Sequence, residues 1–310
     1  MRGRFVRSSP GVLMGQSYET RSAQWWFHRV LLAVLACSVF MVFLVLRCQV
    51  EWKKVERAPM GSFAGVATLV TDPVVVNAAS RSSAVRAVFQ LEGWRYQVTL
   101  YGGSARRVAQ HLAGESVYLT AERSEVSATQ KKRRATQHIV GQLSNVKVAS
   151  TWSDGSAFTR ATNRIRRLLA AGASGLPANE AALFLGLVIG DDRDQSREMV
   201  SQFRVSGLSH LCAVSGQNVA YLLAALSPVL RRLRRNSRFI AVLCILAWFV
   251  LLTRAEPSVL RAAVMAGLVA VSAASGTSMN ARTILASTVI MLLLIDPMLA
   301  WSVGFALSVG

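Results

Sequence analysis

Apolar residues in this chain come in blocks, and that arrangement decides most of what it can fold into. Residues 30–46, VLLAVLACSVFMVFLVL, are seventeen apolar or small residues without a charge. That meets the lower length limit for a helix crossing a bilayer. Further blocks lie at 207–230, 239–253, 257–274 and 283–301. A chain that is 52% hydrophobic could place that content in one soluble core. Five separate blocks predict a polytopic membrane protein instead, with 30–46 as a retained anchor. No small-residue cleavage pattern follows that anchor in LRCQVEWKK.

Between the first two blocks the character changes. GSFAGVATLV (61–70), AVRAVFQLEG (84–93), WRYQVTLYGG (94–103), SVYLTAER (116–123) and HIVGQLSNVKV (138–148) are short and rich in β-branched and aromatic residues. Tyr96, Val98 and Leu100 alternate with Gln97, Thr99 and Tyr101, the period of a half-buried strand. Five strands within residues 60–150 predict a small barrel or sandwich, and five is the strand count of the OB-fold. Segment 104–114 reads as a short helix or loop, and SATQKKRRATQ (127–137) as a solvated basic loop. From 157 to 206 apolar residues return at intervals of three and four. This predicts amphipathic helices on the membrane surface, with Pro177 and Asn179 starting one, Gly190 stopping it, and Asp194 capping the next.

Charge orients the chain. The net charge is +19, from 35 Lys and Arg against 16 Asp and Glu. RRLRRNSR (231–238) holds five arginines in eight residues, and such loops stay on the cytoplasmic side. Helix 207–230 then enters from outside, the β domain lies outside, and helix 30–46 starts inside, where the basic tail 1–29 already places it. Residues 47–206 still carry 22 basic and 13 acidic residues. That surplus on an aqueous domain suits an anionic partner. An OB-type groove would bind a single strand by stacking and by backbone charge. The candidates here are Trp94, Arg95, Tyr96, Tyr101, Arg106, Arg107, Lys131, Lys132, Arg133 and Arg134. Because strand faces alternate, Tyr96 and Tyr101 point opposite ways and one of them belongs to the core.

The stretch GLSHLCAVSGQNV (207–219) puts polar and small residues inside an apolar block. Polar groups at membrane depth mark helix-to-helix contacts or an aqueous path. Ser209, His210, Ser215, Gly216, Gln217 and Asn218 are the path-lining candidates. Asp191, Asp192 and Asp194 lack the spacing of a calcium loop and read as helix-end caps. Arg261 and Asp296 lie at block ends, where pairing or snorkelling accommodates a charge.

FRVSGLSHLCAVSGQNVAYLL resembles the signature of the ComEC-type competence channels, which pass single-stranded DNA across bacterial inner membranes during natural transformation. GLVIGDD (186–192), EPSVLRAAVMAG (256–267) and DPMLAWSVGFALSVG (296–310) resemble further blocks of that family, in the same order. The resemblance covers about 60–310. It implies an α+β membrane protein with a transmembrane anchor, an external OB-like small β-barrel, and polytopic transmembrane helices from 207 to 310. It places the chain in the bacterial plasma membrane with 51–206 external. The partners implied are single-stranded DNA, the lipid bilayer, other competence proteins and further copies of the chain. Family members often carry His where this chain has Asn218.

No enzyme is expected. Histidines at 28, 111, 138 and 210 form no HxHxD cluster, the four cysteines show no CxxC spacing, and no GxxxxGK[ST] loop is present. Catalytic residues, a metal site and a cofactor are therefore not indicated. The chain reads as the N-terminal portion of such a channel. The alternatives are a membrane-anchored OB-type binding module without transport and an inactive truncated fragment.

Overall fold

The structure, a computed structural model, describes residues 35, 38–77, 83–207, 216–302 and 305–306. The chain divides into two compact units, 1–50 and 51–310. Helix α1 covers 38–56 and so runs on past the expected apolar stretch 30–46. Its last turns are supported by local pairs, Lys54 with Glu51 at 2.7 Å and Trp52 with Glu56 at 3.1 Å. In the first unit Val39, Val42, Val45 and Leu46 are exposed.

The second unit begins with six strands among the described residues. They are β1 (Gly61–Leu69), β2 (Val74–Asn77), β3 (Ser83–Leu91), β4 (Trp94–Tyr101), β5 (Ser116–Glu125) and β6 (Ile139–Ser153). The pairing order is β1-β5-β6-β4-β3-β2, and β1 also pairs β3 through Thr68 and Leu69. All pairs are antiparallel except β4 with β6. Strand β2 was not expected, because VVVN is too short to alternate visibly. The β3–β4 turn has two residues, Glu92 and Gly93, both left-handed at φ 50° and 89°. That geometry matches strand twist and fixes the register.

Two helices interrupt the strands. Helix α2 (Gly102–Ala109) buries Ala105 and Val108. Helix α3 (Ala128–Ala135) replaces the expected basic loop. Ala, Gln, Lys and Arg favour helix, and Arg134 bonds Gln130 one turn back at 2.7 Å. The strand core gathers Leu69, Phe89, Leu91, Tyr96, Val108 and Leu119, all essentially without solvent contact.

Seven more helices follow among the described residues: α4 (Ala157–Ala173), α5 (Ala178–Ile189), α6 (Arg197–Val205), α7 (Gly216–Leu230), α8 (Arg235–Leu252), α9 (Pro257–Ser275) and α10 (Ala281–Ile295). A 3-10 helix, Pro297–Trp301, then replaces the expected continuation of the last block. Helix α5 ends on left-handed Gly190 as expected. Helix α6 is capped by Ser196, whose hydroxyl accepts from the Met199 amide at 3.2 Å, and not by Asp194. A second apolar cluster joins Ala173, Leu185, Ile189, Val219, Leu246, Phe249, Leu252, Val259 and Ala263. Among the described residues α8 and α9 are long and apolar enough to cross a membrane, while α5 and α10 are apolar but shorter.

Candidate functional site

The basic and aromatic candidates on the strand domain do not share one surface. Tyr96 is 0% exposed, and its hydroxyl donates to the Pro59 carbonyl at 2.7 Å. Gly141 makes room for it, since a Cβ there would lie 2.8 Å from the Tyr96 ring. Tyr96 is therefore a core residue and offers no stacking face, which corrects that candidate. Tyr101, one strand face away, is 58% exposed. Trp94 is half-buried against the strand core. Arg95 lies near enough to Asp296 to help hold its carboxyl in the charged form. Arg106 and Arg107 are exposed in the last turn of α2. Arg134 donates to the Gln97 and Gln130 side-chain carbonyls and is held on the protein. Lys131 is half-buried, and the side chains of Lys132 and Arg133 lie outside the described residues.

Of the path-lining candidates, Ser209, His210 and Ser215 lie outside the described residues. The other three open α7. Gly216 faces α9, where an added Cβ would stand 2.9 Å from the Ala262 methyl. Glycine thus lets the two helices approach closely. Gln217 is exposed and donates to the Tyr221 hydroxyl one turn on, at 2.6 Å. Asn218 donates its amide hydrogen to the Leu187 carbonyl. Leu187 is among the last residues of α5, where carbonyls lack partners within the helix. Asn218 therefore closes the end of a neighbouring helix.

The strongest polar constellation is one the sequence reading did not assemble. Arg166 of α4 is 2% exposed. Its Nη1 donates to the carbonyls of Ile189 and Leu252 at 2.9 and 2.8 Å, the final residues of α5 and α8. Its Nη2 donates to Asp72 at 2.8 Å and lies 3.3 Å from Asp191. Asp72, in the β1–β2 connection, also accepts from Arg254 at 3.0 and 3.2 Å and from the Ala113 amide at 2.8 Å. Arg193 grips Asp191 through two bonds of 2.7 and 2.6 Å. Arg254 also donates to Asn163, and Asn163 donates to Glu115. Glu115 accepts in addition from Arg167 at 2.7 Å and contacts His111 at 2.6 Å.

This network holds together because its charges alternate. Burial alone would raise the Asp72 carboxyl, but Arg254 and Arg166 outweigh it and hold that group below the usual carboxylate range. Burial likewise opposes the charge on Arg193, and the paired Asp191 more than restores it. Arg166 also neutralises the negative ends of two helices at once. At the α8–α9 turn, Arg254 and Ala255 are left-handed at φ 57° and 54°, a costly conformation for non-glycine residues. Asp72 and Asn163 hold the Arg254 side chain where that turn presents it.

A second contact repeats the pattern. His138, before β6, meets Asp296 at 2.9 Å. Asp296 also caps the Pro297–Trp301 turn through the Met298 amide. The last residues of α8 and α10 thus both lie against the strand domain. Asp191, expected to cap a helix end, pairs with Arg193 and Arg166, and Asp296, expected to pair or to snorkel at a block end, meets His138. Asp72, Arg166 and Arg254 escaped notice because each reads as an ordinary loop or helix-surface charge. The available signal was Arg254, a charge inside the brief gap between two apolar blocks.

Residues 187–310 match the family described as Competence protein. The chain is similar to ComE operon protein 3 of Bacillus subtilis (strain 168), 33% identical over 135 residues. That alignment covers 43% of this chain and 17% of the relative's length. No solved structure matches.

Proposed function

We propose, from the match of residues 187–310 to the family of competence proteins, that the chain forms the receiving part of a machine for taking up single-stranded DNA through a bacterial plasma membrane. The observation that carries this reading is the burial of Asp72 between Arg166 and Arg254. It fastens the strand domain to the family-matching helices, so whatever the domain binds is delivered at their ends.

Three features support the finer points. The closed circuit of pairings β1-β5-β6-β4-β3-β1, with one parallel pair and a helix between β4 and β5, suits a small OB-like barrel. In that reading the outward residues of β3 and β4, with Arg86 and Tyr101, face the strand, and Arg106 and Arg107 add charge. The ends of α8 and α10 meet the domain through Arg254 and Asp296, while the arginine cluster Arg231–Arg238, a turn followed by the first residues of α8, stands at the other end of that helix. This arrangement suits a domain outside and an arginine cluster inside the cell. Because backbone phosphates would carry the binding, recognition is independent of sequence and weakens steeply with salt.

The test is binding of an oligo-dT strand by the full chain in detergent, across a salt series. Affinity that falls with salt supports the reading. Failure to bind at low salt removes the receptor role and leaves a membrane-anchored module with another partner.

A further inference from the structure

Arg160, Arg164 and Arg167 lie at intervals of four and three along α4 and so share one face of that helix. They line a cleft of about 340 Å³ together with Glu115, Asp154 and Leu168. Two glycines make the cleft possible. Gly114 and Gly155 are left-handed, and a Cβ on Gly155 would lie 2.2 Å from the Gly114 carbonyl oxygen. The approach to β5 and the turn into α4 therefore touch backbone to backbone, which lays the arginine face beside the strand domain.

The charges of the cleft are unequally committed. Glu115 is satisfied by Arg167, Asn163 and His111. Arg160 spends one nitrogen on the Gly155 carbonyl. Arg164 is exposed, and besides Glu115 the acidic residue among the described lining is Asp154. The cleft retains guanidinium donors for a single phosphate.

The position of the cleft selects the kind of phosphate. Arg166 ties the ends of α5 and α8 to one level, next to Arg167 in sequence. Beyond that level α4 enters the apolar cluster through Leu169, Ala170 and Ala173, beside Leu246 of α8. Helix α5 returns to the level after twelve residues, or about 18 Å, short of the roughly 30 Å of a hydrocarbon core. Leu168 is 62% exposed, and Leu176 and Phe184 farther along the hairpin are exposed too. Arginines thus stand beside the exposed Leu168 on one face of α4, with further exposed apolar side chains along the hairpin, which is how headgroup and acyl chain are arranged in a lipid. A nucleic-acid strand would want open aromatic faces instead, and Trp152, two residues before Asp154, is already stacked on His111 at 3.8 Å.

We propose that this cleft binds the phosphate of an anionic glycerophospholipid from the leaflet under the strand domain, with the acyl chains lying along Leu168 and the exposed flank of the α4–α5 hairpin. Asp154 accepts from hydroxyl groups of the headgroup. The lipid seats the hairpin at a fixed depth beside α8. This proposal rests on the membrane reading given above.

The test reconstitutes the full chain into vesicles of equal phosphatidylglycerol and phosphatidylcholine, floats them, and measures lipid carried by the detergent-released protein by native mass spectrometry. The wild type is expected to retain phosphatidylglycerol about tenfold over phosphatidylcholine. The R160Q/R164Q variant should float equally well, keep its Tm in detergent, and lose that preference. Equal retention of both lipids by the wild type overturns the proposal alone. So does displacement of phosphatidylglycerol by oligo-dT, which would assign the arginines to the nucleic acid. Failure to float overturns the membrane reading as well.

Discussion

Asp72 and Arg166 meet at 2.8 Å with both side chains almost wholly out of water, although 94 residues separate them. One comes from a strand connection and the other from the middle of a helix. Their pairing is possible because Arg254 and Asp191 supply the remaining opposite charges. A buried pair is a weak source of net stability, but removing one partner strands the other at a large cost.

Asp72→Ala should therefore destabilise the chain by about 3 kcal/mol, at the low end for a broken buried pair because Asp191 still faces Arg166. Thermal unfolding of the full chain in detergent measures this. Helix content should persist while the strand domain becomes sensitive to protease. A variant as stable as the wild type would mean the pairing does not hold the domain.

Acid should act on the same joint. The folded Asp72 carboxyl titrates below its unfolded value of about 3.9, because the arginines outweigh burial. Asp296 is shifted the same way, with the His138 bond outweighing burial. A depressed carboxyl adds stability above the unfolded value and loses it as pH falls through the folded one. Stability should stay level from neutral to about pH 5 through these two groups and drop below about pH 4. In Asp72→Asn that acid-dependent part should shrink, which a Tm series against pH would reveal.

Asn218→Ala leaves the Leu187 carbonyl without its donor, at a cost of about 1–3 kcal/mol. Asn218→His keeps a ring N–H and should cost less. If uptake tracks Tm across the two variants, position 218 acts by closing α5. If Asn218→Ala keeps its Tm and loses uptake, the residue acts on the path.

Gly216→Ala places a methyl 2.9 Å from Ala262 and should cost about 1–3 kcal/mol through overpacking of α7 on α9. Ala262→Gly in the same chain should recover most of that loss. A double variant no better than the single one would argue against this contact.

On the strand domain, Tyr101→Ala should weaken oligo-dT binding by about 1–3 kcal/mol if one base stacks there. Replacing Arg106 and Arg107 with Gln should lower the salt slope by about one or two. Tyr96→Phe should leave binding alone and reduce stability by about 1 kcal/mol, the loss of its bond to Pro59.

The sequence by itself determined the local elements. Helical spacing marked the return to helix at 157, where α4 begins, and Gly190 the end of α5. Alternation located five of the strands and required Tyr96 and Tyr101 to face opposite ways. These follow from neighbours in the chain, where periodicity and turn chemistry act. Signals failed where they were short or ambiguous: VVVN was too brief to read as β2, and the basic run 127–137 hid a helix. Tertiary structure alone decided which tyrosine is core, that Asn218 serves α5, and that Asp72, Arg166, Asp191 and Arg254 form one network. A charge in a sequence carries no mark of its partner. Pairing over 94 and 182 residues is settled by burial, which makes an unpaired charge too costly to keep.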